Sequence, residues 1–382
     1  MKNTEILVIG GGPAGLCAAK AASSQGASVL ICERDGVPGG QLVKQTHKFF
    51  GSRKQYAGDR GNAIGDFLLE EVKSDPKIEV MANATIIGIY ENGLVLAEKP
   101  AYDASANNTE EIVKIKPQKI IIATGAAEDF LPFPGNDLPG VYGAGAVQTL
   151  MNVDGVIPGN RVLMIGASNI GLIVSYQLAQ AGVEVAAVIR RSPTIGGYLV
   201  HASKIRRIGI PVRTRHTIKE AYGNGKVEGA IIYRVDEKKQ AVSGSEEDIK
   251  CDTICLAVGL SPLAELCWQG GCKMAYIGEL SGHVPIIDEY LTTTNPNIFV
   301  AGDVAGVEEA SSAMVEGRLA GYSAALSLGY GKESAPKLQK QAIEELKELR
   351  AGPIAEVIRR GLEKLEKLSS QNESAGGGQT CC

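Results

Sequence analysis

Five short runs of consecutive apolar residues punctuate the chain: residues 5–10 (EILVIG), 118–125 (QKIIIATG), 161–166 (RVLMIG), 252–259 (DTICLAVG) and 296–303 (PNIFVAGD). Runs of this length, each closing at a glycine or beside one, predict strands buried on both faces, as in a parallel sheet. Two of them open longer segments that repeat. Residues 5–35 and 161–191 superimpose with an offset of 156, which places Gly10 on Gly166, Gly15 on Gly171 and Gly26 on Gly182. Each segment reads strand, glycine turn, apolar-periodic helix, glycine, strand.

The runs at 118–125 and 252–259 each follow a stretch of strand-like alternation broken by polar turns, 79–116 and 211–250. Within these, Ala101 to Thr109 reads as a hairpin loop and Tyr222 to Gly229, with its Gly-Asn-Gly, as a turn. The sequence therefore predicts an α/β protein of two Rossmann-like three-layer domains, each a βαβ start, a meander and a closing strand. A helix pattern covers about 310–328. Residues 336–368 carry apolar positions at helical spacing, split at Gly352-Pro353, which predicts two amphipathic helices. The polar, glycine-rich residues 369–382 are expected to be disordered.

Composition fits that plan. With 382 residues, 44% hydrophobic and 21% charged, the chain has material for two or three cores. The 47 glycines follow no collagen period and point to close backbone approaches. A net charge of −4 argues against nucleic acid as the main partner. No apolar run nears the roughly 20 residues of a membrane span, and the N-terminus is not expected to be a signal peptide. The eight cysteines form no C-x-x-C pair, and the four histidines make no cluster with metal-site spacing, so no metal and a reducing cytoplasm are expected.

The candidate chemistry sits in the repeat. Gly10-Gly11-Gly12-Pro13-Ala14-Gly15 is G-x-G-x-x-G between a strand and a helix. Gly10 makes the tight turn, Gly12 lets backbone approach a pyrophosphate, Gly15 lets the helix pack on the strand, and the helix N-terminus offers N–H groups to phosphate. Glu33, at the end of the second strand, is suited to accept both hydroxyls of an adenosine ribose. Gly302-Asp303, at the end of the last strand, suits a ribityl or phosphate oxygen of a flavin. Ala123-Thr124-Gly125 closes the 118–125 run.

Together, GGGPAG, Glu33, ATG at 123–125 and NIFVAGDVAG at 297–306 resemble the two-dinucleotide-domain flavoproteins of the pyridine nucleotide–disulfide oxidoreductase superfamily, over residues 5–330. The resemblance implies FAD in a discontinuous first domain (1–145 and 270–332), an NAD(P)-type domain inserted at 146–269, a helical tail at 333–368 and the disordered tail beyond. It implies that Arg34 neighbours the ribose site and that Gly39-Gly40-Gln41 runs beside the flavin. It also implies that the helix from about Ala310 aims its N-terminus at the pyrimidine end of the flavin. LPGVYGAGAVQTLMN (138–152), GGY at 196–198 and GC at 271–272 narrow the resemblance to the FAD-binding subunits of hydrogen cyanide synthase, opine oxidase and heteromeric proline or hydroxyproline dehydrogenases. That group implies a second flavoprotein subunit, an iron–sulfur electron-transfer subunit, a hetero-oligomer and an amino-acid or amine substrate. The chain departs from it in lacking the cysteine-rich C-terminal segment, and departs from disulfide reductases in lacking a redox cysteine pair in its flavin domain.

The second glycine motif reads Gly166-Ala167-Ser168-Asn169-Ile170-Gly171, with Ser168 at the middle glycine. Its second strand ends in Arg190 and Arg191, where arginine favours a 2′-phosphate, so NADP or another adenine nucleotide such as ATP is expected; a surface basic pair on a vestigial domain is the alternative. His47, Arg53, Tyr56 and Arg60 lie in a polar, aromatic stretch that faces either the flavin, a partner or solvent. His283 is expected in a surface turn, and Cys251 and Cys255 on one face of a strand. Cys17 and Cys32 are expected in the first core, and Cys381-Cys382 are read as a redox pair, a functionless terminus, or the remnant of a cluster site lost with the family's missing segment.

The function expected is an FAD-dependent oxidoreductase, one subunit of an amino-acid or amine dehydrogenase complex. The alternatives are a stand-alone NAD(P)H-dependent reductase of a disulfide, quinone or ferredoxin-like acceptor, and a non-catalytic assembly subunit.

Overall fold

The structure is a computed structural model that describes residues 1–101 and 109–376. The expected hairpin loop and Cys381-Cys382 lie largely or wholly outside the described residues. The chain forms two compact units, one of residues 1–43, 48–127 and 261–382, the other of 44–47 and 128–260.

The first unit opens with β1 (Lys2–Ile9), α1 (Pro13–Ser24), β2 (Val29–Cys32), α2 (Gly61–Lys73), β3 (Ile78–Met81), β4 (Thr85–Ile89), β5 (Val95–Ala101) and β6 (Thr109–Ile122). The crossings are made by the short strands β7 (Ala126–Glu128) and, on return, β16 (Leu260–Pro262). The second unit holds β8 (Val141–Gly143), α3 (Ala144–Asn152), β9 (Arg161–Ile165), α4 (Asn169–Gln180), β10 (Glu184–Arg190), α5 (Leu199–Arg207), β11 (Val212–Thr214), β12 (His216–Tyr222), β13 (Gly229–Arg234), β14 (Glu247–Lys250) and β15 (Thr253–Leu256). The first unit then finishes with α6 (Glu265–Gln269), β17 (Met274–Ile277), β18 (Gly282–Pro285), β19 (Ile298–Val300), α7 (Ala310–Ser327), α8 (Ala335–Leu349) and α9 (Glu356–Gly376).

The first sheet runs β3-β2-β1-β6-β5-β4, with β19 also on β6. β6 is one strand where the sequence suggests a meander strand and a separate closing strand. Its start pairs antiparallel with β5, and its apolar end pairs parallel with β1 and β19. Ile6, Leu7, Val8, Ile121, Ile122 and Val300 are fully buried, each such side chain contributing roughly 1.5–3 kcal/mol. Helices α1 and α7 pack backbone to backbone on this sheet. A Cβ at Gly317 would fall 2.1 Å from the Ala14 carbonyl oxygen, so the contact admits only glycine.

The second sheet is parallel, β11-β10-β9-β15-β8, beside the antiparallel β12-β13-β14. Alternate β9 residues feed two cores: Val162 and Met164 one, Leu163 and Ile165 the other.

Four details differ from the sequence expectation. The units change hands at 127/128 and 260/261 rather than at 145 and 270, because β8 pairs with β15 and Glu128 caps α3 from within the second unit. Residues 369–376 are helical, because α9 propagates beyond the packed Leu365 and Leu368. His283 sits on β18, exposed against Trp268 and Tyr276. Cys251 precedes β15 and packs in a different core from Cys255, since the bend at Asp252 breaks the strand alternation.

Candidate functional site

In the first unit, β1 delivers its last peptide into a turn that only glycine can make. Gly10 has φ +104°, and a Cβ there would fall 2.3 Å from the Ala123 carbonyl oxygen. A Cβ at Gly15 would meet the Gly10 carbonyl oxygen at 1.9 Å, so α1 lies hard against the turn. Gly12 differs. It is the N-cap of α1, no side chain caps it, and the nearest atom to a Cβ there is Gly40 Cα at 3.8 Å. The start of α1, with Pro13 in its first turn and Ala14 and Gly15 next, thus presents an uncapped N-terminus over open space, the chemistry a phosphate needs.

Glu33 stands beside this cradle, 8% exposed. Its Oε2 accepts the Gly11 N–H at 2.6 Å and its Oε1 the Asp35 N–H at 2.8 Å. Gly39 N–H donates to the Gly11 carbonyl at 2.8 Å, which brings the Gly39-Gly40 loop against the glycine turn. Arg34 and Gln41 are exposed, Arg34 facing Asp35 at 3.7 Å. Ala123 N–H donates to Ile9, and Thr124 Oγ1 to the Leu263 carbonyl at 2.7 Å; Gly125 follows at φ +76°.

The third wall is the turn after β19. Gly302 has φ +78°, and a Cβ there would lie 2.9 Å from Ala14 Cβ, so the Gly-Asp motif touches the first turn of α1. Asp303 receives the Glu308 N–H at 3.4 Å, and burial pushes its carboxyl up to about 6. Gly302 N–H donates to buried Glu316, 2.9 Å away on α7.

In the second unit the same construction recurs. Gly10 N–H donates to Cys32 and Gly166 N–H to Ile189, both at 2.8 Å; Gly39 N–H donates to Gly11 and Gly196 N–H to Ala167. The repeat therefore extends past its sequence match to GGQL at 39–42 and GGYL at 196–199, offset 157. That signal was available in the sequence. Ser168 is the N-cap of α4 with no side-chain cap, Asn169 Oδ1 accepts Tyr198 N–H at 2.7 Å, and a Cβ at Gly171 would meet the Gly166 carbonyl at 2.2 Å. Arg190 lies along Gly196, and its Nε is buried without a hydrogen-bond partner. Arg191 is drawn off instead, its Nη2 donating to the Lys239 carbonyl at 3.0 Å.

His47 is in the second unit, edge-on to His201 at 6.2 Å between ring centroids. Burial pushes it down to about 4, helped by the neighbouring His201 and Lys204. Arg53 and Arg60 are exposed, and Tyr56 packs on Phe67. The described cysteines are all buried, and burial pushes the Cys17, Cys32 and Cys251 thiols up to about 12. Among the described residues no cluster of three or more His, Cys, Asp or Glu is placed to hold a metal ion, and no helix is long and apolar enough to cross a membrane.

Two glycine-turn α/β units, one interrupted by the other, define the two-domain dinucleotide oxidoreductases. Residues 4–317 match the family described as pyridine nucleotide-disulphide oxidoreductase, and the chain belongs to that family, as an oxidoreductase. It is similar to an opine oxidase component from Agrobacterium tumefaciens (strain Ach5), one of that enzyme's subunits, 28% identical over 85% of this chain and 66% of that one. It is 31% identical to the alpha chain of sarcosine oxidase from Rhizobium meliloti (strain 1021), over 70% of this chain and 25% of that one. The chain thus spans less than two thirds of the length of either relative. Among solved structures, L-proline dehydrogenase from P. horikoshii shares the fold, with TM-score 0.66 at 22% identity over 90% of this chain and 59% of the other.

Proposed function

We propose that the chain binds FAD in its first unit and serves as one subunit of a cytoplasmic amino-acid or amine dehydrogenase complex. The observation that carries the cofactor is Glu33, buried at the end of β2 beside an uncapped α1 N-terminus. A carboxylate there suits the vicinal hydroxyls of an adenosine ribose, which FMN lacks. Gly12, Ala14 and Gly15 would receive the pyrophosphate, Gly40 and Ala123–Gly125 would border the flavin, and Asp303 would meet the ribityl chain. Bound flavin supplies hydride or electron transfer. The chain's own residues bind it, exclude water through the Gly39–Gln41 loop, and set charge at Asp303 and the N-terminus of α7.

The dehydrogenase-complex reading rests on the relatives named as oxidase subunits, and extends to this chain the second flavoprotein and iron–sulfur subunits the sequence resemblance implies. In the second unit, Gly166, Ser168 and Asn169 would meet nucleotide phosphate and Arg190 a ribose 2′-phosphate, with NADP or ATP as ligand. The described cysteines, all buried, speak against their serving as the redox pair of a disulfide reductase, since the thiolate is the reactive form. Purification of the native complex, identification of each released cofactor, and amine-dependent reduction of a dye test the whole reading. FMN in place of FAD, or no flavin after reconstitution, defeats it.

A further inference from the structure

The segment after α7 has no part in the glycine motifs, yet it reaches them. At the C-terminal end of α8, Arg350 is turned inward, its side chain only 14% exposed. Its Nε donates to Glu308 Oε2 at 3.1 Å while its Nη2 lies 2.7 Å from Glu308 Oε1, a two-point grip. The same Nη2 donates to Glu316 Oε1 at 2.5 Å, and the other oxygen of Glu316 accepts the Gly302 N–H at 2.9 Å. Glu308 N–H in turn donates to Asp303. One guanidinium therefore joins the Glu316 carboxylate, which holds the Gly302 N–H, to the carboxylate of Glu308, whose backbone N–H holds Asp303, and that turn touches Ala14 in the first turn of α1.

The charges do not balance without it. Glu308 and Glu316 face each other through Arg350, with Asp303 and Glu309 adding negative charge from the turn and from the start of α7. The face of α1 against α7 brings backbone, Ala14 and Ala18, and no charge. From α9, Arg359 donates to the carbonyls of Arg350 and Gly352, which fixes the loop that carries Arg350 but leaves the carboxylates to Arg350. Removing one partner of a buried ion group leaves uncompensated charge, a larger loss than the group's net worth.

We propose that Arg350 is a positioning residue for the cofactor turn: by neutralising Glu308 and Glu316 it keeps Gly302–Asp303 seated against α1, which makes the C-terminal helical segment part of the flavin site. The inference rests on the FAD reading above. Without Arg350, Glu316, whose carboxyl burial pushes up, meets Glu308 uncompensated as it ionises, so the turn opens more at high pH than at low.

The test uses the full chain loaded with FAD, and measures FAD dissociation and the visible flavin spectrum at pH 6 and pH 8. Arg350→Met is expected to weaken FAD retention at least ~10-fold at pH 8, about 1.4 kcal/mol, with a much smaller loss at pH 6. Arg350→Lys, which keeps the charge without the fork, is expected to fall between, and serves if the methionine variant does not fold. Arg350→Met/Glu308→Gln is expected to recover a clear part of the retention, because it removes the carboxylate that faces Glu316 most directly. A loss that is equal at both pH values, or one not rescued by Glu308→Gln, overturns the proposal, as does Arg350→Met retaining FAD like the wild type. A wild-type chain that takes up no FAD overturns the cofactor reading first, and this inference with it.

Discussion

Arg190 stands in the second unit where Glu33 stands in the first. Each follows the residue whose carbonyl receives the N–H of the turn glycine, Cys32 for Gly10 and Ile189 for Gly166. The backbone of the repeat is kept and the charge at this corner is reversed. Glu33 spends its oxygens on Gly11 and Asp35 N–H groups, whereas the Arg190 Nε is left without a partner.

Glu33→Ala is expected to weaken FAD binding by about 1–3 kcal/mol, the scale of charge-assisted hydrogen bonds. Fluorescence titration of the apoprotein with FAD measures it. FMN binding, which has no adenosine ribose to lose, should be unchanged between the two proteins.

At the second unit, a 2′-phosphate met by Arg190 should make NADPH bind at least ~10-fold more tightly than NADH, about 1.4 kcal/mol. Arg190→Ala should erase the difference, while Arg191→Ala should leave it, because Arg191 is held by the Lys239 carbonyl. Calorimetry with both nucleotides decides it; equal affinities in the wild type return Arg190 to a basic residue without a ligand.

Gly15→Ala should destabilise the first unit by more than about 2 kcal/mol, since the new methyl must displace the Gly10 carbonyl 1.9 Å away. Gly12→Ala, with 3.8 Å of room, should leave stability nearly unchanged and weaken FAD. Thermal unfolding of both apoproteins separates the two roles.

His47 gives the second unit a pH dependence with a definite sign. Its folded value, about 4, lies below the ordinary 6.5, so the unfolded chain binds the proton more readily. Stability is then full above about pH 6.5 and is lost as pH falls toward 4, by about 3 kcal/mol in all. The wild-type unfolding temperature should fall relative to that of His47→Phe as pH drops through that window; a difference independent of pH refutes the assignment.

The sequence carried the glycine turns, the closing Gly-Asp and the tail helices because each depends on residues near one another in the chain. It did not carry the continuity of β6, because Thr109–Lys116 alternates and Lys119–Ile122 does not, and only their separate partners, β5 on one stretch and β1 and β19 on the other, explain one strand with two patterns. Nor did it carry the boundary at 127/128, which depends on β8 finding β15 more than a hundred residues later. The Arg350 group was hidden for the same reason: an arginine after a helix looks like any solvated end until Glu308 and Glu316 are brought to it.

The two-sided pairing of β6 also sets an order of events for a chain made from its N-terminus. Residues 119–122 acquire β1 on one side early, but the other side waits for β19, whose Ile298 pairs with Ile120. Meanwhile residues 128–260 supply nearly the whole of the second unit and can close first. Until residue 300 leaves the ribosome, a run of three isoleucines faces the cell as an unpaired apolar edge, the kind that invites strand addition from another nascent chain. The insertion that supplies the second glycine-turn fold thus lengthens the interval in which this edge of the first lacks its partner strand, and a chain cut after residue 290 should aggregate rather than fold.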